Sequence, residues 1–197
     1  MYKLGITGGM GSGKSTASNF FLKKGALVFD ADKQAKKYLL TDLNIQNRII
    51  DAFGNYVIQN NDLDLLKLSN HVFSNKKNQE ILNKLIWPGL YSIIESTYKK
   101  AKNSGAKLFI VDAALIIEAQ YTNFFDSILL ITANKEVRIK RIQLRNNIPN
   151  DQIKNRMALQ MSESKKRKYS DTIIENNDSL DFLHDKLELF WRNLNIH

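Results

Sequence analysis

Gly8-Gly9-Met10-Gly11-Ser12-Gly13-Lys14-Ser15 satisfies the pattern G-x-x-x-x-G-K-[ST], whose chemistry is phosphate binding. Glycines at these steps accept positive φ, turn successive N–H groups inward and leave a concave anion site at a helix N-terminus. Gly11, Ser12 and Gly13 therefore belong to a nucleotide site. Lys14 reaches the β- and γ-phosphates of ATP, the Ser15 hydroxyl ligates Mg²⁺, and Thr16 supports the α-phosphate from the first helical turn. A ligand-free glycine turn is the bland alternative, and the strand-like run before the motif and helix-like run after it argue against that.

A nucleotide site alone names no reaction, so the neighbouring charges matter. Asp32 follows Asp30 by two residues at the end of an apolar run, where it can accept a hydroxyl proton and orient the oxygen toward the γ-phosphate. Its alternative role is a helix N-cap. Asp30 either binds substrate or caps the same turn. Asp112 closes a third apolar run, in the position of an acid that holds Mg²⁺ directly or through water, with a cap as its alternative. Glu118, in the next loop, either contributes there or is a surface acid. Arg141 and Arg145 lie four apart on one helix face and either bridge transferred phosphate oxygens or face solvent.

These groups need a scaffold, and the apolar runs supply one. Residues 2–7, 26–29, 108–112, 127–132 and, more weakly, 172–174 are too short for helices and suit a parallel sheet covered on both faces. A helix over 14–24 stops at Gly25. The expected fold is α/β, a P-loop NTPase with a five-stranded parallel sheet flanked by helices, a helical substrate-binding insertion and a helical lid. Its core comprises 1–32, 105–134 and 169–197. Residues 33–104 show helical spacing (Leu63, Leu66, Asn70, Phe73; Ile81, Leu85), carry no strong strand and exceed an ordinary crossover, which predicts a separate lobe. Residues 135–168 read as two helices broken around Asn146-Asn147-Ile148-Pro149, the shape of a lid. Leu180, Leu183, Leu187, Phe190 and Leu194 mark one apolar face of a last helix.

The 197 residues, 43% apolar and 25% charged, fit one globular domain. Cys is absent, which excludes disulfides and thiolate chemistry and fits a cytoplasmic enzyme. No run of about 18 apolar residues is present to span a membrane, and without a leader-like start the mature chain is expected to begin at Met1. Most of the +9 charge falls in residues 135–168, where eleven Lys or Arg face three acids, a net of +8. That segment either closes over polyphosphates or contacts a nucleic-acid backbone, but no recognised nucleic-acid module accompanies it.

Taken together, these residues resemble the dephospho-coenzyme A kinase family over nearly the whole chain. The resemblance rests on Gly5-Ile6-Thr7 followed by the phosphate loop, Asp30-Ala31-Asp32, Leu115-Ile116-Ile117-Glu118, Arg138-Ile139-Lys140-Arg141 with Arg145, Arg156-Met157-Ala158-Leu159-Gln160, and Asp171 to Asn176. It implies transfer of the ATP γ-phosphoryl group to the ribose 3′-hydroxyl of dephospho-CoA, with Mg²⁺; separately, the chain is expected to be a monomer or weak homo-oligomer that binds neither nucleic acid nor membrane. It also implies that Asp32 is the base, that Lys14 and Arg141 act on phosphate, and that Asn176 lies near adenine. Thr7, Asp32, Leu115, Glu118, Arg156 and Gln160 would contact the acceptor, and Ser15 and Asp112 the metal. Two departures stand out: Trp87-Pro88 where the family usually has His-Pro, and Ala114-Leu115-Ile116 where it usually has Pro-Leu-Leu. Trp87 is expected to stack on the acceptor's adenine. The rival readings are a P-loop kinase for another small acceptor, a nucleotide-dependent nucleic-acid-binding protein, and a switch ATPase.

Overall fold

A computed structural model describes residues 1–60, 62–145 and 149–194, without the Arg145 side chain. The order is β1 (Tyr2–Thr7), α1 (Lys14–Lys23), β2 (Leu27–Asp30), α2 (Ala31–Thr41), α3 (Leu43–Phe53), β3 (Ile58–Gln59), β4 (Asp62–Leu63), α4 (Leu65–Phe73) and α5 (Lys76–Asn103). There follow β5 (Leu108–Asp112), β6 (Ser127–Thr132), α6 (Lys135–Arg145), α7 (Asn150–Ala158), α8 (Glu163–Arg167), β7 (Thr172–Glu175) and α9 (Leu180–Asn193).

The five apolar runs form one parallel sheet in the order β2-β5-β1-β6-β7. Alternate side chains feed two cores. Leu4, Ile6, Leu108, Ile110, Leu129 and Ile131 meet α1 and α9 through Phe21, Leu183 and Leu187. On the other face, Phe29, Phe109 and Val111 meet α5 through Leu90, Ile94 and Ala101. Gly25 ends α1 at φ +89°, its N–H bonding the Leu22 carbonyl at 3.0 Å. Leu180, assigned to the apolar face of α9, is instead 57% exposed.

The insertion is mostly helical, with its own cluster of Ile45, Ile49, Phe53, Val57, Leu68 and Val72. It also holds the antiparallel β3–β4 ladder, contrary to a purely helical reading. Two residues per strand leave no periodicity to detect. α4 is helical as the spacing predicts, with Leu68 and Val72 buried, while Leu66 (71% exposed) and Phe73 are exposed. The long α5 starts in this lobe and ends against the main sheet. Within it, Tyr38 rests where a Gly89 side chain would sit.

The basic segment forms three helices rather than two, because α8 follows α7. The proposed break at Asn146 to Ile148 falls outside the described residues.

Candidate active site

β1 delivers Thr7 and then the phosphate loop to the sheet's C-terminal edge, the ligand-binding edge of parallel α/β sheets. Gly11 (φ +78°) and Gly13 (φ +104°) use left-handed backbone that other residues rarely adopt. A Cβ on Gly13 would collide with the Asn176 amide, and one on Gly8 with the Ile131 carbonyl. From Gly13 the chain enters α1, with Thr16 and Ala17 N–H donating to the Gly13 carbonyl at 3.0 and 3.1 Å. Inside the loop the Ser12 hydroxyl is buried and has no hydrogen-bond partner among the described residues, which fits an anion or its hydration there. Ser15 is exposed on the first turn of α1.

Lys14 Nζ lies 3.6 Å from Asp112 Oδ1, and Asp112 Oδ2 accepts from Ser18 Oγ at 2.8 Å. Asp112 is thereby held at the end of β5, directly opposite Asp30 in the β2–β5 register. Among the described residues no three His, Cys, Asp or Glu cluster into a metal cage. One hydroxyl and one carboxylate instead suit Mg²⁺, which keeps several waters and binds largely through phosphates.

The structure divides the two acids after β2. Asp30 caps α2, accepting the Lys33 N–H at 2.9 Å. Asp32 stands in the first turn, released from capping. Its carboxylate keeps a water-exposed surface, yet the surrounding cleft removes much of its solvation. That desolvation raises its pKa above 3.8; Lys14 opposes the shift, and Asp112 and Asp30 add to it. The result is a carboxylate readier to take a proton than an ordinary aspartate.

The basic segment 135–168 reaches the phosphate loop through Arg138 and Gln160, neither of which was expected to contact that loop. Arg138 Nε donates to the Met10 carbonyl at 2.9 Å, and Gln160 Oε1 accepts the Met10 N–H at 3.0 Å. A Cβ on Gly9 would lie 2.5 Å from an Arg138 terminal nitrogen, so the guanidinium covers the loop. Burial lowers the Arg138 pKa, with Glu163 opposing. The available signal was its position three residues before Arg141 on the same helix. Arg141 itself points elsewhere: it donates to Asn176 O (2.8 Å), Asn176 Oδ1 (3.3 Å) and Asp178 O (3.3 Å). These contacts tie α6 to the segment that follows β7. Buried Asn176 in turn donates to the Ser12 carbonyl at 2.8 Å and bonds Thr132 through its backbone. It therefore braces the phosphate loop from behind.

Beside Asp32 opens a cavity of about 700 Å³, walled by α2, α4, α5 and the loop after β5, with Leu115, Arg156 and Gln160 at its lining. The Arg156 guanidinium lies 5.1 Å from the Phe73 ring centre, joining lid to lobe. Trp87 is 8% exposed, packs at 39° to Tyr91 and lines this cavity. The Glu118 carboxylate receives the Met161 N–H (3.0 Å) and the Lys166 ammonium (2.9 Å). Thr7 Oγ1 donates to the Ala114 carbonyl at 3.3 Å, which ties the two loops together.

The family model described as dephospho-CoA kinase matches residues 2–181. A dephospho-CoA kinase of Clostridium tetani is 36% identical over 195 residues, covering 98% of this chain and 86% of the relative. One from Arabidopsis thaliana is 36% identical over 186 residues, covering 94% and 80%. Among solved structures, TT1252 from Thermus thermophilus superposes with TM-score 0.81 at 26% identity, covering 98% of both chains.

Proposed function

The chain belongs to the dephospho-CoA kinase family, and from that premise we propose that its cleft transfers the γ-phosphoryl group of ATP to the ribose 3′-hydroxyl of dephospho-CoA, giving CoA and ADP. The observation that carries this reading is the position of Asp32 between Lys14, whose charge it feels, and a cavity large enough for an extended acceptor. Lys14 and the loop N–H groups hold the nucleotide phosphates, and Arg138 adds positive charge from the lid side. Asp32 accepts the hydroxyl proton as the oxygen aligns with phosphorus, a step in which positioning outweighs basicity. Ser15 and Asp112 would hold Mg²⁺, which neutralises charge on the phosphates when bound. Arg156, Gln160 and Leu115 bind the acceptor. No helix among the described residues is long and apolar enough to cross a membrane, and we read the enzyme as cytoplasmic.

The test is ADP formation by purified protein with Mg-ATP. Dephospho-CoA should stimulate it and yield CoA. A rate indifferent to dephospho-CoA and to adenosine would overturn the assignment.

A further inference from the structure

Lys166 is 1% exposed, and no other Lys or Arg among the described residues is classed as buried. An ammonium at this depth is costly unless paired and hydrogen-bonded. Its Nζ donates to the Ala114 carbonyl at 2.5 Å and sits 2.9 and 3.2 Å from the two Glu118 oxygens. Each of these partners serves a second segment. The Ala114 carbonyl also accepts from Thr7, which leads into the phosphate loop. Glu118 also accepts from Met161 N, and the preceding residue, Gln160, holds the Met10 N–H of that loop. The contacts form a ring, from β1 through the loop after β5 and the start of α8 back to the phosphate loop, with Lys166 at its hub.

We propose that Lys166 is a positioning residue for phosphoryl transfer, fixing Ala114 and Glu118 so that Gln160 holds the phosphate loop in register with Asp32 and Asp112. This rests on the transferase reading above. Burial pushes the Lys166 pKa down, Glu118 pulls it up, and Lys14 and Arg138 push it down again, so the hub shares the electrostatic surroundings of the phosphate site. The alternative is a staple that serves only stability.

Lys166→Met should lower kcat about 100-fold, the scale of a misplacement near 1 Å, with KM for Mg-ATP within about threefold of wild type. Because a lone, half-buried Glu118 charge left unpaired threatens folding, Lys166→Met is also combined with Glu118→Gln, which removes both charges. The double variant should regain thermal stability and still lack turnover. Recovery of both would identify a staple and overturn the proposal, as would near-normal kcat in folded Lys166→Met. Amide hydrogen exchange supplies a readout independent of any acceptor. In the double variant the Met10 N–H should exchange at least about tenfold faster while β5 amides stay protected. Unchanged Met10 exchange overturns the proposal whatever the activity. Faster exchange in a protein whose wild type ignores dephospho-CoA would instead sink the transferase reading and leave the ring standing.

Discussion

Asp32 combines an electrostatic cost with the proposed task of accepting the hydroxyl proton. Desolvation and the charges of Asp112 and Asp30 make its ionised form less favourable in the folded protein than in the unfolded chain, despite Lys14. Asp32→Asn should therefore lower turnover by about two to four orders of magnitude while leaving nucleotide binding intact. The same substitution should raise Tm at pH 7. The sign follows from linkage: a carboxylate with a raised folded pKa penalises the fold above that pKa, and the penalty is relieved as pH falls through it. The Tm advantage should accordingly shrink on acidification and vanish below 3.8, where Asp32 is neutral in both states. Turnover with ATP and dephospho-CoA, nucleotide titration and melting curves at several pH values check all three; a destabilised Asp32→Asn at pH 7 would contradict the electrostatic account. Asp32 and Lys14 were readable because motif spacing identifies them. Arg138 and Lys166 were not, because a run of basic residues does not reveal which members turn inward.

Element ends explain why Asp32 is free to act. Asp30 takes the cap of α2, and its carboxylate satisfies a backbone donor that would otherwise be unpaired. Asp30→Ala should cost about 0.5–2 kcal/mol, measurable by urea denaturation, while Asp30→Asn should retain most of the stability because Asn caps equally well. Kinetic effects should track this order, since the first turn that the cap fixes also carries Asp32. If Asp30→Asn proved as damaging as Asp30→Ala, the acid would have a role beyond capping. The five strands and the Gly25 stop were legible from apolar runs and one glycine. The β3–β4 ladder and the five-residue α8 were not, because neither is long enough to show a period. In α4 the sequence offered two nearly equivalent apolar faces, and tertiary packing chose Leu68 and Val72 over Leu66 and Phe73.

Across the whole molecule, the proposed function places two half-sites along the edge of one sheet. The nucleotide half is gripped by Arg138 and Gln160 on Met10 and by Asn176 on Ser12. The acceptor half lies between the main sheet and a lobe with its own apolar core, and α5 belongs to both, which no periodicity could reveal. The basic segment therefore touches different halves through different arginines: Arg138 meets the phosphate loop, whereas Arg156 borders the proposed acceptor cavity against Phe73. This separation makes a kinetic prediction. A charge-assisted hydrogen bond contributes about 1.5–3 kcal/mol, so Arg156→Ala should raise KM for dephospho-CoA about 10- to 100-fold and leave KM for Mg-ATP within about twofold. Arg138→Ala should do the reverse, with a further loss of kcat as the loop's lid-side charge disappears. Initial rates over a grid of both substrates would separate the two patterns. If both variants shifted both KM values equally, the lid would act as one cooperative body, and the division of labour between its arginines would be wrong.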